Sequence, residues 1–196
     1  MLLYVYGSDG YRRTRALREQ ILPAYVAKYS DAALSYFYGD EADIVETLTA
    51  FAQNVSLFAS VRLGVLYAPE LLPKEGVAVL KSLLANQTAS IVVVAQKKLP
   101  KKDFGFLYHD SVKSWEFESL TGPAWLSFLK QEAAARGGVG SDSQIRDLGK
   151  AYEGDSYGAV TEIEKVSLGG ILELAATATD FFTLIKSLRY GRGVAG

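Results

Sequence analysis

A chain of 196 residues is long enough for one domain or two small ones, and 49% hydrophobic with 22% charged residues marks it as globular rather than disordered. A net charge of −1 gives no general pull toward nucleic acid, so any DNA contact needs a local basic patch. With no cysteine and one histidine, His109, the sequence excludes disulfides, thiolate nucleophiles and Cys-type zinc sites, and disfavours a Ser/His triad. No apolar stretch approaches the roughly 20 residues that span a bilayer. The start, Met1-Leu2-Leu3-Tyr4-Val5-Tyr6-Gly7, lacks a basic n-region, so the chain reads as cytoplasmic with no membrane contact.

The first two-thirds alternates strand and helix signals. Residues 2–6 form a short apolar run ended by Gly7, a buried strand. Residues 10–28 read as helical, with Ala16, Leu17, Ile21 and Leu22 as the apolar stripe and Pro23 as a kink or break. A second strand covers 33–38. Asp40 is a candidate cap for a helix whose inner face is Ile44, Val45, Leu48, Phe51 and Ala52. A third strand covers 62–67. Pro73 starts a helix that turns Val77, Leu80, Leu83 and Leu84 inward. The β-branched run Ile91-Val92-Val93-Val94 marks a central strand over 90–95, and 112–117 is the fifth. Strands separated by helices predict a parallel sheet covered on both faces.

After Thr121 the strand signal stops. Thr121, Asp142 and Asp155 are candidate caps for three helices, with Trp125, Phe128, Leu129, then Ile145, Leu148, then Val160, Ile163 facing inward. Gly137-Gly138 and Gly154 are their stops, Gly169-Gly170 is a candidate linker, and a last helix is predicted over 181–190. The expected division is an α/β sheet domain over 1–119, a small helical domain over 120–168, and a linker with a C-terminal helix over 169–196.

An α/β sheet followed by a small helical domain is the layout of many nucleotide-driven machines, so the turn after the first strand is the place to test. A phosphate loop needs Gly-x-x-x-x-Gly-Lys-Ser/Thr, in which glycines expose backbone N–H groups, the lysine neutralises phosphate and the hydroxyl holds magnesium. Here Gly7 opens the turn, but Arg12 stands at the second glycine and Arg13 at the lysine, followed by Thr14. Asp9 adds negative charge where phosphates would lie. The third strand ends in Ala68-Pro69-Glu70, without the carboxylate pair that magnesium and water activation require. The expectation is a degenerate loop with no catalytic residues, no metal site and no cofactor.

Between the second helix and third strand lies Ser56-Leu57-Phe58-Ala59-Ser60. The residues alone leave two readings open: a buried pair closing the helix–strand junction, or an exposed apolar peg that docks on a partner. At this point a resemblance gathers. Tyr4-Val5-Tyr6-Gly7-Ser8-Asp9-Gly10-Tyr11, Tyr38-Gly39-Asp40-Glu41-Ala42, the 56–60 segment followed by Arg62-Leu63, and Gly154-Asp155 with Glu162-Ile163-Glu164-Lys165-Val166 occur in the order and spacing of the delta subunit of bacterial DNA polymerase III. The chain resembles that clamp-loader family over roughly residues 1–168. The resemblance implies an AAA-like sheet domain (a degenerate P-loop NTPase fold) and a three-helix lid. It implies no ATPase activity, and a role in DNA replication as a subunit that binds and helps open the sliding clamp, the beta subunit. Leu57 and Phe58 would enter a hydrophobic pocket on the clamp, flanked by Ser56 and Ala59, and the other clamp-loader subunits would be partners.

The family's third, collar domain does not fit in the roughly 28 residues after 168, which sets pentamer assembly apart as an open question. The alternatives are a divergent AAA-type protein whose Arg13 and Thr14 still hold a phosphate, and a stand-alone clamp-binding regulatory protein. The densest basic patch, Lys97, Lys98, Lys101 and Lys102, fits DNA phosphates or a neighbouring subunit, against the blander reading of a solvated loop. No aromatic interleaves directly with these lysines in the sequence, which favours the bland reading.

Overall fold

The computed structural model describes residues 1–29, 33–53, 62–85 and 89–170. The chain divides into two compact units, Met1–Ser119 and Leu120–Gly196. In the first unit, strands β1 (Leu2–Tyr6), β2 (Ala33–Tyr38), β3 (Arg62–Tyr67), β4 (Ala89–Ala95) and β5 (Lys113–Glu116) form one sheet in the order β2-β3-β4-β1-β5. Every pairing is parallel, with Tyr4 opposite Val93 and Ser114, and Val65 opposite Tyr36 and Val92. β1 and β4 are buried along their whole length, which is why they read as unbroken apolar runs rather than alternating ones.

Each sheet face has its own core. On one, helices α3 (Ile44–Gln53) and α4 (Lys74–Ser82) place Ile44, Leu48, Phe51 and Leu80 against Tyr4, Leu66, Ile91 and Val93, with Val45, Ala52, Val77 and Leu84 at the margin. The other face carries Leu3, Val5, Leu63, Val65, Val92 and Val94. It is covered by a single helical run: α1 (Gly10–Arg15), a π-helical stretch (Ala16–Ile21) and α2 (Leu22–Lys28), which contributes Leu17 and Tyr25. Pro23 does not end this run. The Leu22 N–H bonds the Leu17 carbonyl five residues back, and this wider turn carries the helix into the proline, which has no N–H of its own.

The expected cover on both faces is incomplete. β2 is an edge strand, and Leu34, Tyr36 and Tyr38 on the α1–α2 side remain 42%, 51% and 46% exposed. Asp40 is not a helix cap: α3 begins four residues later, and Thr47 N–H bonds the Asp43 carbonyl at 3.0 Å.

The second unit contains α6 (Gly122–Ala135), α7 (Asp142–Ala151) and α8 (Ser156–Ser167), following the short α5 (Lys101–Phe104) of the first unit. Trp125, Leu129, Ile145, Leu148, Ala159 and Ile163 form the core, and Trp125 Nε1 donates to the Gly149 carbonyl at 2.8 Å. Thr121 precedes α6 in extended backbone but its side chain makes no capping bond. The cap of α7 is Ser141, one residue before the expected Asp142, in a reciprocal box with Gln144. Asp155 caps α8 through the Gly158 N–H. Gly137 and Gly138, both at positive φ, close α6 by bonding the Ala134 and Ala133 carbonyls. The 181–190 helix expectation lies outside the described residues.

Candidate functional site

Open parallel sheets place ligands at the carboxyl ends of their strands, beside the point where strand order reverses. Here the reversal is at β1, which lies between β4 and β5. The turn leaving β1 is held against the chain that continues β5. Gly7 has φ 126°, and a Cβ there would stand 2.3 Å from the Phe117 carbonyl carbon, so only glycine allows this approach. Phe117 N–H donates to the Tyr6 carbonyl at 2.7 Å and Asp9 N–H donates to the Phe117 carbonyl at 2.8 Å.

The polar groups of this turn meet protein carboxylates. Asp9, nearly fully buried, caps α1: Oδ1 accepts the Arg12 N–H at 3.0 Å, and Oδ2 lies 3.7 Å from the Arg12 guanidinium. Ser8 Oγ donates to Glu118 Oε2 at 2.8 Å and accepts from Ser119 N–H at 3.0 Å. Arg12 Nη1 donates to the Glu118 carbonyl at 3.0 Å, with the guanidinium over the Phe117 ring. Arg13 donates to the Gly7 carbonyl, and Thr14 lies partly buried on α1. In a phosphate cradle the convergent N–H groups await an anion. Here Asp9 and Glu118 supply negative oxygens at the same turn. Asp9 was legible in sequence. Glu118 was not, because it arrives from 110 residues away.

The next segment on this edge follows β4, with Lys97 and Lys98 in the loop and Lys101 and Lys102 at the start of α5, all exposed. Between them Leu99 is buried, and its backbone is clasped by two phenols: its N–H donates to Tyr4 Oη at 2.8 Å, and Tyr108 Oη donates to its carbonyl. Lys98 Nζ lies 5.7 Å from the Tyr6 ring centre and 5.9 Å from that of Tyr108; Lys101 Nζ lies 5.4 Å from the latter. Aromatic rings do therefore accompany the lysines, contrary to the sequence expectation. They come from β1 and from the turn after α5, which local sequence does not bring together. Burial raises the Tyr6 pKa, helped by Glu116 and opposed by Lys98.

Ser56, Leu57, Phe58 and Ala59 lie outside the described residues. His109 is exposed and its Nδ1 pairs with Ser111 Oγ at 2.9 Å, away from the β1 turn's carboxylates. Glu70, after β3, is exposed on a turn entered through Ala68 at φ 49°.

No family model and no curated protein matches the chain. Solved structures do. The Bacillus subtilis DNA clamp loader delta protein aligns with a TM-score of 0.59 at 18% identity, over 95% of this chain and 62% of that one. The Thermotoga maritima RuvB Holliday junction branch migration motor aligns at 0.55 and 13% identity, over 94% of this chain and 56% of that one. A Walker-type ATPase of Pyrococcus abyssi aligns at 0.51 and 10% identity, over 97% and 69%. These likenesses show the fold. The parallel sheet with flanking helices resembles that of the AAA-type P-loop NTPases, and the chain spans about three-fifths of the clamp loader and branch migration proteins it matches. Among the described residues no helix is long and apolar enough to cross a membrane.

Proposed function

We propose that the chain is a non-catalytic, delta-like clamp-loader subunit that binds the sliding clamp and helps to open it, leaving ATP hydrolysis to partner subunits. The observation that carries this reading is the β1–α1 turn, whose donors meet Asp9 and Glu118 where a nucleotide-binding relative would present them to phosphate. The likeness to a clamp loader delta protein supports the choice among AAA-like roles. In this reading Leu57 and Phe58 dock in an apolar pocket of the clamp, each contributing about 1.5–3 kcal/mol if fully buried there. Ser56 and Ala59 frame them, and Lys97, Lys98, Lys101 and Lys102 face DNA or a neighbouring subunit.

Two measurements test it. Leu57→Ala with Phe58→Ala should abolish binding in a calorimetric titration with the clamp while leaving the circular dichroism spectrum unchanged; undiminished affinity defeats the docking role. Millimolar Mg-ATP should leave the melting temperature unmoved. A rise with ATP concentration would instead support the second reading, a divergent AAA-type nucleotide-binding protein, which the likeness to a Walker-type ATPase favours.

A further inference from the structure

The part of the sheet that no described helix covers forms a groove. Its walls are Leu17, Arg18 and Leu22 of the α1–α2 run, and its floor is Tyr36 and Tyr38 of β2 with Tyr67 of β3, around about 380 Å³. Tyr38 stacks on Tyr67, with ring centres 5.4 Å apart and planes 20° from parallel. Tyr36 sits two residues before Tyr38 on the same strand face, about 6.6 Å along it. Both rings are about half exposed, and among the described residues neither phenol makes a hydrogen bond. Arg18 makes no ion pair among the described residues.

An apolar helix laid over this floor would remove two phenol hydroxyls and a guanidinium from water without giving them partners, at a cost that opposes docking. A chain of flat rings joined by phosphates meets each group as it stands. Bases stack on the tyrosine faces, the hydroxyls stay at the wet edge, and Arg18 receives a phosphate. Asp40 and Glu41 follow Tyr38, and Glu41 already accepts the Tyr38 N–H at 3.3 Å, so negative charge is repelled from that end and Arg18 is the anchor. We propose that the Tyr36–Tyr38–Tyr67–Arg18 groove is a stacking site for single-stranded nucleic acid. It shares no residue with the Lys97–Lys102 segment.

The test is fluorescence anisotropy of a labelled 15-nucleotide oligo-dT strand titrated with the full chain. Tyr36→Ala and Tyr38→Ala should each weaken binding at least about fivefold, whereas Tyr36→Phe with Tyr38→Phe should retain it, because stacking needs the ring and not the hydroxyl. Arg18→Ala should flatten the slope of log affinity against log salt by about 0.7, the signature of one lost phosphate contact on a single strand. Photo-crosslinks from iodouridine should map to Tyr36, Tyr38 or Tyr67. If the alanine pair fails to fold, the phenylalanine pair, the salt slope and the crosslinks decide. Unchanged affinity of the alanine pair, equal affinity for duplex, or crosslinks confined to Lys97–Lys102 overturns the site. So does loss of self-association in the alanine pair without loss of oligonucleotide binding, which would assign the edge strand to a protein instead.

Discussion

Asp9 does two things with one carboxylate. It accepts the Arg12 N–H, one of the free N–H groups in the first turn of α1, and places a negative charge beside the positive end of that helix. Asp9→Ala should therefore cost about 1 kcal/mol, read as a lower urea midpoint with unchanged slope. Gly7→Ala should cost about 1–3 kcal/mol, since its φ of 126° and the Phe117 backbone both reject a side chain. A variant as stable as the parent would show that the turn relaxes away from β5. The loop's own part, Arg12, Arg13 and Asp9, was legible in the sequence. Its completion by Glu118 and Ser119 was not, because a hydrogen bond between residues 110 apart leaves no trace in local pattern.

At the level of elements, apolar pattern located the five strands and the longer helices: strands buried on both faces, such as β1 and β4, show as unbroken apolar runs, and helices as a stripe recurring every three to four residues. Caps were harder to place. Any of Asp40, Thr121 and Asp142 has the chemistry of a cap, but the choice is made by backbone geometry that composition does not record, and the structure uses Ser141 rather than Asp142. Ser141→Ala should lower the stability of the second unit by about 1 kcal/mol, followed by Trp125 fluorescence during denaturation, and Asp142→Ala by less. The mid-helix π turn shows the same limit: Pro23 announced a disturbance, and the register shift that absorbs it depends on the Leu17–Leu22 bond. The tyrosine groove was not legible because alternating Leu34, Tyr36 and Tyr38 look like any strand with a buried face; only the sheet order reveals that no described helix covers them.

For the whole molecule, buried phenols link stability to alkaline pH. Burial raises the Tyr4, Tyr25 and Tyr6 pKa values above the ordinary 10.0, and that of Tyr152 in the second unit as well. An unfolded chain loses these protons near pH 10.0 while the folded chain keeps them. Stability from this source is therefore complete below that pH and falls as pH rises through it. Urea midpoints between pH 8 and 11 should be flat and then drop, and Tyr4→Phe should soften the drop; a midpoint independent of pH would contradict the linkage. The clasp on Leu99 carries a further consequence, in time rather than energy. Its amide sits in the loop after β4, yet it is bonded to the buried phenol of Tyr4 on β1. Its hydrogen can exchange with solvent only when β1 itself comes loose. Deuterium uptake at Leu99 should therefore be as slow as at Val92 and Val93, and this one loop amide would keep the clock for opening of the first unit.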